Sequence, residues 1–160
     1  MLGVVSIASS ARAEEFVRYN EARPMLETKP SENDGSVSVD ELRALQGGGG
    51  VVQVFDARSK AEFGREHIAA AKLPHEEAYY RDVELFQQQI VREAPDAIVS
   101  LERSMAGLPK NAEIVTYCNR NCGISKTLKR ELEDLGFTNV RWLVGGIDDW
   151  REKGYPLEKT

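Results

Sequence analysis

The chain has 160 residues, 41% hydrophobic and 29% charged, with a net charge of −5 and 2 cysteines. That length and balance are those of an ordinary globular domain with a full core. No basic stripe interleaved with aromatics is present, which excludes nucleic acid as the expected partner, and no apolar run approaches the ~20 residues that span a bilayer.

The chain opens with the small, apolar stretch Met1 to Ser10, then Ala11-Arg12-Ala13 ahead of Glu14-Glu15. An A-x-A pattern after an apolar run is similar to the end of a secretory signal peptide, although no basic n-region precedes it. Residues 1–13 are therefore expected to be a signal-peptide remnant, with the mature protein starting near Glu14 in the periplasm. If the segment is not a signal, the expected location is cytoplasmic. Residues 14–36 carry Pro24, Pro30 and Gly35 without periodicity and are expected to form an extended N-terminal arm. The folded domain is expected over 37–160.

Within it, Ser38 and Glu41 have capping-box spacing, so a helix is expected from there to about Gln46, stopped by the glycines 47–50. No lysine or Ser/Thr follows those glycines at P-loop spacing, so they are not a phosphate cradle. Val51 to Phe55 is a short apolar run ending at Asp56, the pattern of a strand buried on both faces. A short helix is expected over 59–66 with Ser59 as cap, and a second strand over 69–74. Residues 76–106 are helical by pattern, with a break near Pro95. The order then continues as a turn at 108–111, a strand at 114–117, a helix at 125–135, a strand at 139–143 and a helix at 147–153. Strands alternating with helices predict an α/β fold with a mainly parallel central sheet and helices on both faces.

The chemistry concentrates at Tyr117-Cys118-Asn119-Arg120-Asn121-Cys122-Gly123-Ile124-Ser125. A β-branched apolar strand ends at Cys118, a polar loop follows, and a helix begins. Unpaired N–H groups and the positive end of the helix dipole favour a thiolate there and can hold an anion. The alternative is a buried structural thiol. Cys122 can be a resolving thiol, a disulfide partner for Cys118 or a residue without a role, and the spacing does not choose among these. The two cysteines lack the further ligands of a zinc site, so no metal is expected. Arg120 can attract an anionic donor by charge, or simply face solvent. His75 lies just past a strand, where a parallel sheet opens its ligand crevice. Trp142 and Trp150 are expected in the core.

Four separated motifs make residues 37–158 resemble the rhodanese-like domain family. They are Asp56-Ala57-Arg58 with Glu62-Phe63, then Glu66-His67-Ile68 with Ala71, then Tyr117-Cys118, and finally Gly145-Gly146-Ile147-Asp148-Asp149-Trp150 with Gly154-Tyr155-Pro156. The resemblance implies that Cys118 takes up a sulfane sulfur as a persulfide and passes it to a thiophilic acceptor, with Asn119 to Ser125 cradling the sulfur. It implies a small donor such as thiosulfate or a persulfide, a thiol acceptor that can itself be a protein, and no cofactor. In that family the strand end at Asp56 borders the pocket, which implies Arg58 as a pocket residue; by their own chemistry, Asp56 is expected as a buried carboxylate paired with Arg58, and His67 as a structural histidine fixing a strand entry.

The chain departs from the family at the loop. Asn121 stands near a glycine position, and Gly123-Ile124 occupy the region where active relatives carry an arginine. The segment from Cys118 to Gly136 is one residue longer than usual, as in related phosphatases and arsenate reductases, whose terminal loop arginine is also absent here. Cys122, Ser125 and the Gly146 to Trp150 segment resemble an exported subgroup associated with quinone-dependent oxidation systems, with Gly123 in place of its usual tryptophan. Three functions therefore compete: a sulfurtransferase or sulfane-sulfur carrier, a non-catalytic binding module of an exported redox system, and a thiol–disulfide protein using Cys118 and Cys122.

Overall fold

The computed structural model describes residues 35–160, so the expected signal remnant and all but the end of the expected arm lie outside the described residues. The elements run β1 Ser36–Val37, α1 Val39–Gly47, β2 Val52–Asp56, α2 Lys60–Arg65, β3 His67–Ile68, α3 Glu77–Gln87, α4 Ala97–Ser104, β4 Glu113–Tyr117, α5 Ile124–Asp134, β5 Val140–Leu143, α6 Gly146–Glu152 and β6 Leu157–Glu158. β1, β5, β4 and β2 form a sheet in that order. All three pairings are parallel, with Val54 opposite Val115 and Thr116 opposite Trp142.

Ser38 and Ser59 cap the helices at which the sequence placed them, and Asp96 adds a cap that was not foreseen. The Ser38 hydroxyl accepts from the Glu41 N–H at 3.1 Å. Ser59 and Glu62 close a full capping box at α2, and Asp96 caps α4 by accepting from Ile98 and Val99. The expected 76–106 helix is two helices separated at 88–96, a stretch that contains Pro95.

The central strands are buried on both faces, and alternate residues feed two cores. Val54, Val115 and Tyr117 pack with Val39 and Leu42 of α1 and Ile147 and Trp150 of α6. Phe55 and Ile114 pack with Leu101 of α4 and Leu128 and Leu132 of α5. Trp150 is fully buried, and its indole N–H donates to the Pro156 carbonyl at 2.8 Å. Trp142 is also buried.

Three expectations are corrected. The strand expected over 69–74 is only a single parallel bridge between Phe55 and Lys72, because Ala70 turns the chain with φ of 67°. Ser36, expected at the end of the arm, is the first residue of a strand that pairs with Trp142. β6 was not foreseen; it pairs antiparallel with β3, matching Ile68 to Leu157. These strands have two residues each, too short for a period-2 pattern to register.

Candidate active site at the cysteine loop

β2 and β4 end in register, with Asp56 opposite Tyr117, and the Ala57 N–H donates to the Tyr117 carbonyl at 2.8 Å. Cys118 is therefore the first residue beyond the carboxyl end of a central strand, where open parallel sheets place their ligands. Six residues later the chain enters α5. Its N-cap is Gly123, without a side-chain cap, so the first N–H groups of an eleven-residue helix face the loop. Thr116 Oγ1 donates to the Ser125 carbonyl at 2.8 Å and ties the strand to the start of that helix.

A second helix holds the loop from the other side. The Ile147 N–H donates to the Cys118 carbonyl at 3.0 Å. The chain approaches this closely because Gly146 has no side chain: a Cβ there would collide with the Cys118 carbonyl and with Asn119, and φ is +56°. Gly146→Ala is expected to lose about 1–2 kcal/mol from the left-handed backbone alone, with a further loss as the cysteine loop is pushed aside. Gly154→Ala is the control, since its φ of +72° is similar but its Cβ would meet open space. Denaturant unfolding of both variants checks this, and equal losses would show that the contact with Cys118 carries no weight.

Cys118 and Cys122 are joined as a disulfide, with Cα atoms 6.0 Å apart. The pairing that the sequence left open is thus made in this state. The Ser125 Oγ lies 3.3 Å from Cys118 Sγ, and the Ile124 N–H approaches Cys122 Sγ at 3.4 Å. Both sulfurs pack with Ile124 and Ala57. Of the cradle residues, Cys118, Cys122, Gly123, Ile124 and Ser125 are buried together, Asn119 is half-buried, and Arg120 and Asn121 are exposed.

Arg120 is exposed and held by the acidic side chains of α6. Its guanidinium pairs with Asp149 at 2.7 Å and Glu152 at 2.6 Å on α6, and its backbone N–H donates to Asp148 at 2.7 Å. Those carboxylates, Glu152 first and Asp149 second, raise its pKa and keep it charged. Of the two readings left open for Arg120, the solvent-facing one fits its exposure, and any pull on an anionic donor is offset by two acidic neighbours. Nothing in the sequence marked Asp148 and Asp149 as partners, because the helix that carries them lies 28 residues further on.

Asp56, Arg58 and His67 build the frame. Asp56 is fully buried and accepts from the Arg58 backbone N–H at 2.9 Å, from Arg58 Nη2 at 2.8 Å and from the Tyr117 hydroxyl at 2.9 Å. Arg58 Nη2 also donates to the Glu66 carbonyl. Burial first, and the Asp56 carboxylate second, push the Tyr117 phenol up, so it stays a protonated donor. His67 stacks on Phe63 with ring centroids 3.8 Å apart, and its Nδ1 lies 2.8 Å from the Phe63 carbonyl.

Beside the loop lies a cleft of about 880 Å³ lined by Ala57, Arg58, His75, Tyr79, Tyr80 and Ile124, among others. His75 stacks on Tyr79 with centroids 3.8 Å apart, and its Nδ1 is buried without a hydrogen-bond partner. Burial pulls its pKa from 6.5 down to about 3. A histidine held neutral in the folded state contributes its full stability above pH 6.5 and loses it as the pH falls from 6.5 toward 3. His75→Phe keeps the stacking and removes the titration, so the fall in urea midpoint between neutral pH and the acid side of that window should be smaller in the variant. An identical fall in both proteins would assign the acid sensitivity to other groups. Among the described residues, no group of three or more His, Cys, Asp or Glu is placed to hold a metal ion.

A parallel sheet that delivers a cysteine to a loop opening a helix defines a cysteine-loop α/β domain. The family profile of the rhodanese-like domain matches residues 38–153. The chain belongs to the rhodanese-like domain family. Comparison with curated proteins found no match. Among solved structures the chain is similar to the BH2092 protein of Bacillus halodurans, at 22% identity and a TM-score of 0.58, covering 79% of this chain and 78% of that one. The Alr3790 protein of Anabaena sp. is similar at 20% identity and 0.58, covering 77% and 91%. A thiosulfate sulfurtransferase of Pseudomonas aeruginosa matches at 20% identity and 0.53, covering 78% of this chain and 20% of that longer one. At these identities the likeness is one of fold.

Proposed function

We propose that this domain is a sulfurtransferase or sulfane-sulfur carrier that forms a persulfide on Cys118 and passes the sulfur to a thiol acceptor. The observation that carries this reading is the position of Cys118. It stands at the carboxyl end of β4, with the Ser125 hydroxyl 3.3 Å from its sulfur and the uncapped start of α5 beyond it. Oriented N–H and O–H groups stabilise an anionic sulfur there as an oxyanion hole stabilises oxygen. The thiosulfate sulfurtransferase that shares the fold supports the class of reaction.

The reduced protein is the active form, because Cys118 has no free thiolate while it is bonded to Cys122. Export to an oxidising compartment would favour the bonded form. Thiosulfate is expected to be a slow donor, since the loop's own Arg120 is paired with Asp149 and Glu152 and no other arginine stands between Cys118 and Lys129. Rates after and without mild reduction, on thiosulfate and on a low-molecular-weight persulfide, check both points. Thiosulfate turnover as fast as turnover of the persulfide would contradict the specificity argument.

The direct test is the mass of the Cys118 peptide after the reduced protein meets the persulfide donor. One added sulfur atom supports the reading, and an unmodified Cys118 defeats it. A second reading, thiol–disulfide exchange through Cys118 and Cys122, is favoured by the bridge itself. It predicts disulfide reduction of a protein substrate without any sulfur bound.

A further inference from the structure

We propose that Cys122 is a resolving thiol, so that the domain discharges sulfur from Cys118 as sulfide and is left as the Cys118–Cys122 disulfide. This deepens the reading of Cys118 as the persulfide carrier and rests on it.

The loop brings the two sulfurs together within the folded scaffold. With the bridge made, β4 runs in register with β2 to Tyr117, and α5 begins at Ile124. The Cα separation of 6.0 Å lies within the ordinary disulfide range of roughly 4.4–6.8 Å. The carrier thiol therefore has a second thiol within bonding reach in a folded state. A persulfide formed on Cys118 has two fates, attack by an external acceptor and attack by Cys122, and the second is intramolecular.

The Cys118 thiolate takes the outer sulfur of a persulfide donor, R–S–SH, and releases R–S⁻, leaving Cys118–S–SH. Cys122 gives its proton to solvent, and its thiolate attacks the Sγ of Cys118. The bond between Sγ and the outer sulfur breaks, and its electron pair leaves with that sulfur as HS⁻. The sulfane sulfur is reduced to sulfide, and the two cysteine thiols are oxidised to the disulfide. An external dithiol restores the thiols and is oxidised in turn.

The geometry also assigns the direction of that last step. Cys122 is 7% exposed and Cys118 1%, so the incoming thiol reaches Cys122 first and expels Cys118. Each sulfur has one donor beside it, the Ser125 hydroxyl at 3.3 Å for Cys118 and the Ile124 N–H at 3.4 Å for Cys122, so the order of exposure decides which one is attacked. The regenerated nucleophile is the one that the next donor requires.

The test is a single turnover under anaerobic conditions. Fully reduced protein, freed of reductant, is mixed with an equal amount of glutathione persulfide, and samples are alkylated over time. The expected course is an early Cys118 persulfide, then about one sulfide and one intramolecular disulfide per chain. A second addition gives no further sulfide until dithiothreitol is supplied. Cys122→Ser should hold the persulfide on Cys118 and lose the sulfide burst, with its fold confirmed by circular dichroism and thermal unfolding. If the wild-type protein keeps a stable Cys118 persulfide beside an alkylatable Cys122, the resolving role is overturned while the carrier reading stands. If Cys118 gains no sulfur in either protein, both readings fall.

Discussion

Cys118→Ser is expected to abolish sulfur transfer while leaving the domain folded. Serine cannot form the persulfide, and its hydroxyl is not ionised at neutral pH, so a loss on the order of a thousand-fold or more is expected. The substitution is nearly isosteric at a buried position, and it leaves the Thr116 and Ile147 hydrogen bonds that hold the loop in place. It does remove the bridge to Cys122, whose sequence separation is only 4. A cross-link closing so short a loop constrains the unfolded chain less than one closing a long loop, so a loss within about 2 kcal/mol is expected. Cys122→Ser removes the same bridge and keeps the nucleophile, so comparing the two variants separates loss of the cross-link from loss of chemistry. Transfer at wild-type rate by folded Cys118→Ser protein would remove Cys118 from the mechanism.

Asp56→Ala is expected to destabilise the domain by about 3–5 kcal/mol, because it leaves a buried guanidinium uncompensated. Asp56 is fully buried, and Arg58 lies 2.8 Å away with little exposure of its own. The Tyr117 hydroxyl loses its acceptor at the same time, although it still accepts from the Ile68 N–H at 3.1 Å. Asp56→Asn keeps an acceptor and should cost less. The double variant Asp56→Ala with Arg58→Met should recover part of the loss, since removing both members of a buried pair avoids the stranded charge. Denaturant unfolding of the three variants gives the comparison. A single variant as stable as the wild type would mean that the pair contributes nothing beyond filling space. The network also joins the ends of β2 and β4, one of which carries Cys118, so the stability loss is expected to bring a lower rate of transfer.

The family and the position of the loop cysteine were legible along the chain because both are local. An apolar run that stops at a cysteine before a polar loop is a contiguous pattern. The strand end at Asp56, the His67 segment and the Gly145 to Trp150 segment are contiguous as well. Capping residues Ser38 and Ser59 mark their helices because a cap satisfies N–H groups two or three positions away. Alternation along β2 and β4 is muted, since both faces are buried, yet the apolar runs themselves identify central strands.

What the sequence determined by itself is therefore the central strands β2, β4 and β5 with the helices that follow them, the family, and the cysteine at the end of β4. Tertiary structure alone decided the rest, through contacts between residues far apart in the chain. Arg120 looked free to meet an anion until α6 brought Asp149 and Glu152 to it. The glycine at 146 acquired its meaning only when the Cys118 carbonyl was placed against it. β1, β3 and β6 exist because neighbouring strands offer their free hydrogen-bonding groups, not because two residues prefer to be extended. The union of Cys118 with Cys122 belongs to the same class, since spacing permits a bridge but only the path of the loop brings the two sulfurs together.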